Sequence, residues 1–243
     1  SMNRHPVLFV SHGAPDVLLN PGATVQLWQD LGARLPRPRA ILVVSAHWAA
    51  REPTVSTVGR PETIHDFGGF PQALFDAQYP APGSPEVAAE IRALLGEAEV
   101  SADLDWGLDH GTWSVLCHLF PDADIPVVQL SLNADLNAHE HFALGRKLAA
   151  LREQGILIVG SGNIVHNLRL MDWRHPDTTD GAYDWAQTAR KLVNHWLQSG
   201  NNAALTNDNA YPEELRLAAP TPEHWWPLLY VIGAKSDDEA LTL

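Results

Sequence analysis

The sequence predicts an α/β fold: a three-layer α/β/α single domain with a largely parallel central sheet. Three observations carry this. Apolar runs alternate with amphipathic stretches along the chain. The runs end in glycine-bearing segments, as strands feeding a ligand-binding edge do. The length, 243 residues with 45% apolar and 19% charged side chains, suits one globular core and excludes intrinsic disorder.

The elements follow in order. His5 to Ser11 (HPVLFVS) reads as a buried strand, bounded by Gly13 and Pro15. Ala23 to Leu35 reads as a helix, and Ala40 to Ala46 (AILVVSA) as a second strand. Arg51 to Gly83 lacks periodicity and is rich in Gly, Pro and aromatic residues. A stretch of that length without regular structure is more often functional than idle. Ser84 caps a helix to Leu95, with Pro85 at its first position. Thr112 to Phe120 reads as a short helix and Ile125 to Leu132 (IPVVQLSL) as a third strand. Asn137 to Glu153 reads as a helix ended by Gly155. Ile156 to Val159 is a fourth strand, running into a Gly160-Ser161-Gly162 turn. Tyr183 to Gln198 is helical, and Thr221-Pro222-Glu223 opens the last helix. No repeat, low-complexity tract or linker divides the chain, so residues 1–243 read as one domain.

Charge and composition narrow the function. The net charge of −13 excludes binding that rests on Lys and Arg neutralising a phosphate backbone, so no nucleic-acid partner is expected. No run of 18 apolar residues occurs, so no membrane span is expected. The first residues carry no signal-peptide apolar region, and Ser1 ahead of Met2 reads as a protease scar. A single cysteine, Cys117, suits the reducing cytoplasm, the expected location. It lies between apolar residues and reads as packing rather than as a nucleophile. Nothing in the residues fixes an oligomeric state.

Histidine is the unusual count, with 12 against two Met and one Cys. Three lie just past strands: His12 after LFVS, His47 after ILVVSA, and His166 after ILIVG and the SGN turn. The carboxyl ends of parallel strands line the ligand crevice of an open α/β sheet. Three imidazoles at that rim suit either a metal site or acid–base chemistry. His65 and His110 each neighbour an Asp and nearby glycines in the irregular region and a turn. His224 falls at the start of the last helix, beside Glu223. Successive helical residues point about 100° apart, so Glu223 and His224 do not easily serve one site together: one of the two faces a metal while the other faces out or caps. His139 and His141 fall on the polar side of a predicted helix, and His5, His118, His175 and His195 lack motif context. These six read as solvated or packed rings. No P-loop, GxSxG elbow or HExxH motif is present.

The segments SHGAPDVLL, VVSAHW, TIHDFGGFPQALF, YPAPGSP, GLDHGTWSVL, PVVQLSL, GSGNIVHNLR and TPEHWWPLLYVIGA occur in this order. Together they resemble the LigB-like class III extradiol ring-cleavage dioxygenases, most closely the 4,5-DOPA extradiol dioxygenase group. The resemblance runs from about Pro6 to Ala234. It implies a metal site at the carboxyl ends of the strands. It implies that His12, His47 and His224 are metal ligands, with His166 a fourth ligand or a base. It implies that His110 is catalytic, and it puts His65 near the bound substrate.

The implied cofactor is one divalent metal: Fe(II) for dioxygenase activity, with Zn(II) accepted by the same imidazoles. The implied partners are a small-molecule catechol and O2, and the implied product is a seco-DOPA-type semialdehyde. Zinc-dependent hydrolysis, or metal binding by an interaction protein without catalysis, would use a similar His set. The resemblance implies a further strand past Ala234, so an edge of the sheet is expected to be missing or disordered here.

Overall fold

The structure is a computed structural model that describes residues 4–11, 23–50, 54–56, 59–65, 78–96, 100–103, 107–162, 184–218 and 225–236. Its sheet contains β1 (Val7–Ser11), β2 (Ala40–Ala50), β3 (Thr54–Ser56), β4 (Ser101–Asp103), β5 (Val127–Asn133) and β6 (Ile156–Gly162). They lie in the order β1-β6-β2-β5-β3-β4. The first four of that row run parallel. β3 is antiparallel to β5, and β4 pairs parallel with β3. The sheet is therefore largely parallel, as expected.

β3 and β4 escape the sequence pattern because three residues are too few for a period to show. One residue pair, Val55 with Leu130, joins β3 to β5. Side chains complete that junction: the Thr54 N–H donates to Ser131 Oγ and the Gln129 N–H to Ser56 Oγ, each at 2.9 Å.

The helices are α1 (Ala23–Arg34), α2 (Pro85–Leu95), α3 (His110–Leu119), α4 (Ala138–Leu148), α5 (Asp184–Gln198), α6 (Asn202–Leu205), α7 (Glu213–Ala218) and α8 (Trp226–Ala234). Successive strand residues face opposite sides, so each central strand feeds two cores. Ile41, Val43, Val127, Leu157 and Val159 pack with Leu116 and Leu119 of α3 and with Trp28 and Leu31 of α1. Leu42, Val44, Val128, Leu130 and Ile158 pack on the other face with Ile91, Leu148 and Leu229 of α2, α4 and α8. Burial on both faces explains why these strands read as continuous apolar runs.

Ser84 caps α2 as expected, accepting from the Val87 N–H with Pro85 next in line. Asn137 and Glu140 form a capping box at α4.

Strand ends differ from expectation in two places. β2 continues through His47 to Ala50, and Gly160-Ser161-Gly162 is strand rather than turn. Neighbouring strands account for the second. Gly160 pairs with both Phe9 and Val44, and Ser161 with both Val10 and Ser45. Pairing on two sides outweighs the weak strand preference of glycine. Gly160 also admits α8: a Cβ there would stand 2.7 Å from the Pro227 carbonyl oxygen and 2.8 Å from Val231 Cγ2.

His141 departs from its expected place on a polar helix face. It is wholly buried, with Nδ1 2.8 Å from the Tyr230 hydroxyl and its ring centroid 4.3 Å from that of Trp226. The reason is α8, whose residues are all buried and which therefore covers the face of α4 that the pattern assigned to solvent. Among the described residues, no helix is long and apolar enough to cross a membrane.

Burial pushes the His141 imidazole down to about 4, against a smaller opposing pull from Asp208. Its ordinary value applies when the chain unfolds. Between about pH 6.5 and 4 the unfolded state therefore binds the extra proton, and stability falls as pH falls. The contribution is complete above that window, and about 3 kcal/mol of it is lost by pH 4. Urea melts from pH 7 to 4 should show this loss in the wild type and a flatter profile in His141→Leu.

Candidate active site

The carboxyl ends of the four parallel strands share one edge. Ser11 of β1 pairs with Gly162 of β6, and Ser45 of β2 pairs with Ser161. At that level the ladder between β2 and β5 slips. Val44 pairs with Leu130, but Ala49 pairs with Leu132, so Ser45 to Trp48 stand opposite Ser131 alone. Irregularities of this kind re-aim side chains beside active sites. The backbone carries His47 on this slipped stretch.

The first turn of α3 is fastened to three of these strands, β2, β5 and β6. Asp109, its N-cap, is wholly buried. The Ser45 hydroxyl donates to Asp109 Oδ1 at 2.7 Å, and the Thr112 N–H donates to the same oxygen at 3.2 Å. Gln129 Nε2 donates to Oδ2 at 3.0 Å. The Ser161 hydroxyl donates to the Gly111 carbonyl. β2, β5 and β6 thus each send one polar side chain onto a single helical turn.

Alternation explains the common direction. Ser45 continues the Ile41–Val43 face, Gln129 the Val127 face and Ser161 the Leu157–Val159 face, which is the side covered by α3. A buried carboxylate carries a large desolvation cost, which charge-assisted hydrogen bonds offset. The negative N-cap also suits the positive end of the helix dipole.

His110 is the first residue of α3 and is 6% exposed. It starts the helix rather than lying in a turn, because the Asp109 cap begins the helix two residues before the expected start at Thr112. His65 is half-buried on a segment laid along the entrance to α3. Thr63 and Leu108 form a parallel bridge. The Ile64 N–H donates to the Leu108 carbonyl and the Leu108 N–H to the Glu62 carbonyl, each at 2.7 Å. Gly107 permits this approach, since a Cβ there would stand 2.2 Å from the Glu62 carbonyl oxygen. His65 and His110 each follow a bridge residue by two positions, in strands of the same direction.

The structure thus brings His65 and His110 onto adjoining segments. His12, His166 and His224, together with Glu223, lie outside the described residues, as does the side chain of His47. Among the described residues, no group of three or more His, Cys, Asp or Glu side chains could hold a metal. Cys117 is partly buried in α3, where burial pushes its thiol up to about 12, which suits packing and not nucleophilic attack.

Sequence reasoning noticed Asp109 only as a neighbour of His110, and passed over Ser45, Gln129 and Ser161. Their signal is a polar residue interrupting an apolar strand run, as in AILVVSA and PVVQLSL. Such a residue needs a partner when buried.

Asp109→Ala leaves the Ser45, Gln129 and Thr112 donors without their acceptor and should destabilise the fold by about 3 kcal/mol or more. Asp109→Asn keeps the shape and one acceptor oxygen, and should cost about half as much. Equal urea midpoints for the wild type and Asp109→Ala would refute this account of the carboxylate.

The relatives agree with this architecture. The catalytic LigB subunit of aromatic ring-opening dioxygenase is the family that matches residues 19–242. A 4,5-DOPA dioxygenase extradiol of Escherichia coli K12 is 48% identical over 247 residues, covering 100% of this chain and 90% of its own. A protein of the same name from Beta vulgaris is 36% identical, covering 99% of this chain and 91% of its own. The crystal structure of an uncharacterized Escherichia coli K12 protein superposes with a TM-score of 0.84 at 44% identity, covering 98% of this chain and 92% of that one. The chain belongs to the LigB family and is an extradiol, aromatic ring-opening dioxygenase.

Proposed function

We propose that this chain opens the ring of a catechol beside its diol, with L-DOPA cleaved at the 4,5 position as the first substrate to test. Both atoms of O2 would enter the product, a seco-DOPA-type semialdehyde. The printed names of the relatives support DOPA. The structural observation behind the reading is the pairing of His65 and His110 on bridged segments beside the carboxyl edge of the parallel strands.

The family implies a divalent metal, and the chain offers donors suited to one. His12 directly follows Ser11, which the sheet aligns with Gly162. His47 lies on the slipped stretch of β2, two residues beyond Ser45. His224 precedes Trp225, and Pro227 just beyond lies against Gly160 of β6. We assign His12, His47 and His224 as the ligands, with His166 as a fourth ligand or a base. Neutral imidazoles suit both Fe(II) and Zn(II). Fe(II) is the working metal in this reading, since zinc lacks redox chemistry. When bound, the metal supplies the positive charge that favours an ionised diol and the route for electrons from catechol to O2.

The chain itself handles protons and position. His110, held by the first turn of α3, receives a phenolic proton at an imidazole nitrogen or returns one as the ring opens, in exchange with His166. Imidazole suits this because it takes up and releases protons near neutral pH. Little water reaches His110, a residue that is 6% exposed. His65, half-buried on the facing segment, borders the aromatic substrate.

Protein stripped of metal and reloaded anaerobically with Fe(II) should take up O2 with L-DOPA and form a yellow semialdehyde. The Zn(II)-loaded control should not. No uptake by the Fe(II) sample with L-DOPA or a small panel of catechols would overturn the reading. His110→Ala should slow ring opening by about 100-fold or more while metal stoichiometry stays at the wild-type level. Unchanged turnover would remove His110 from proton transfer.

A further inference from the structure

The placing of His65 against His110 is set at two points. The bridge at Thr63 and Leu108 fixes where the two segments start, but each histidine lies two residues beyond it. Trp113, one turn along α3 from His110, supplies the second fastening. Its indole N–H donates to the Ile64 carbonyl at 2.8 Å. Its ring centroid lies 5.7 Å from that of His65, with the planes inclined at 59°. Trp113 is almost wholly buried, at 1% exposure, in the core formed by Leu116, Val159 and Tyr79. It is therefore a fixed post and not a mobile wall. A bond to the carbonyl immediately before His65 and a ring against its imidazole together define where that imidazole stands. The Tyr79 N–H donates to Thr63 Oγ1 at 2.9 Å and ties the same segment to the same core.

We infer that Trp113 is a positioning residue for substrate binding. It registers His65 against the helix that carries His110 and so sets the seat of the aromatic ring between them. The inference rests on the reading of the site as a catechol site. It assigns Trp113 no part in proton transfer or in metal binding.

Trp113→Phe keeps an aromatic ring in the core and deletes the N–H donor. The loss of one hydrogen bond to a backbone carbonyl should raise KM for L-DOPA about 3- to 10-fold and leave kcat within about twofold. The dissociation constant of 4-nitrocatechol, measured anaerobically on Zn(II)-loaded protein, should rise by the same factor without any turnover. In a His65→Ala background, Trp113→Phe should have no further effect on either quantity, because Trp113 acts through His65.

A variant with wild-type KM and wild-type 4-nitrocatechol affinity would overturn the inference, as would an undiminished effect of Trp113→Phe on top of His65→Ala. A wild type that neither binds 4-nitrocatechol nor turns over a catechol would overturn the functional reading and this inference with it. Should Trp113→Phe fail to fold, the Trp113 indole N–H resonance of 15N-labelled protein decides. It must move when 4-nitrocatechol binds the wild type and stay put in His65→Ala. A resonance indifferent to 4-nitrocatechol in the wild type would refute the role.

Discussion

The Asp109 carboxylate is the constraint on which the described part of the site depends. A charge this deep in the protein is tolerated only where its oxygens are matched by donors. Ser45, Gln129 and the Thr112 amide supply them. The match has a geometric result. Ser45 lies two residues from His47, and Asp109 is one residue from His110. One carboxylate therefore ties the strand that carries an assigned metal ligand to the helix that carries the assigned proton-transfer residue. Gln129 does the same for β5, and Ser161 repeats the attachment from β6 through the Gly111 carbonyl. Fastening to three strands at once leaves the first turn of α3 little freedom, the condition under which a catalytic imidazole stays within reach of its proton.

The two faces of the sheet divide the labour. On the face covered by α3, polar side chains interrupt the apolar rows near the carboxyl edge and hold the helix by hydrogen bonds. On the other face the attachment is steric. Gly160 lets the backbone of α8 lie against β6, and Gly145 and Gly233 let α4 and α8 approach one another to the same degree. His141 Nδ1 and the Tyr230 hydroxyl pair inside that apolar junction. α8 is thus held by backbone packing, and the first turn of α3 by a charge.

Much of this was legible in the residues, and the rest was hidden for identifiable reasons. The three central strands β2, β5 and β6 announced themselves as apolar runs because both of their faces are buried, whereas β1, at the sheet edge, is only half-buried over Val7 to Phe9 rather than buried as its run suggests. The cap at Ser84 read directly, since capping chemistry is local, but the helix expected to run from Asn137 to Glu153 ends at Leu148, and Gly155 instead ends a 3-10 segment, Ala149–Gln154, that follows it. The strand character of Gly160 to Gly162 and the extension of β2 past Ala46 did not, because neighbours remote in sequence create both. His141 was misplaced for the same reason: its surroundings belong to a helix some 90 residues away. In the site, histidine position and family resemblance selected the candidates, whereas the supporting shell of Ser45, Gln129, Ser161 and Trp113 required the fold. Each of those four resembles ordinary strand or core composition until its partner is known.

Strand order has a consequence for how the molecule is made. β6 lies between β1 and β2, so the strand before His12 and the strand bearing His47 share no neighbour until β6 is inserted. On the ribosome that cannot happen before residue 162 has emerged. β1 must wait through most of synthesis with an unpaired edge, and pairing across so long a separation in sequence is intrinsically slow. Nascent chains should therefore rely on holding chaperones, and a translational pause within β6 should harm yield more than one within the helices that follow.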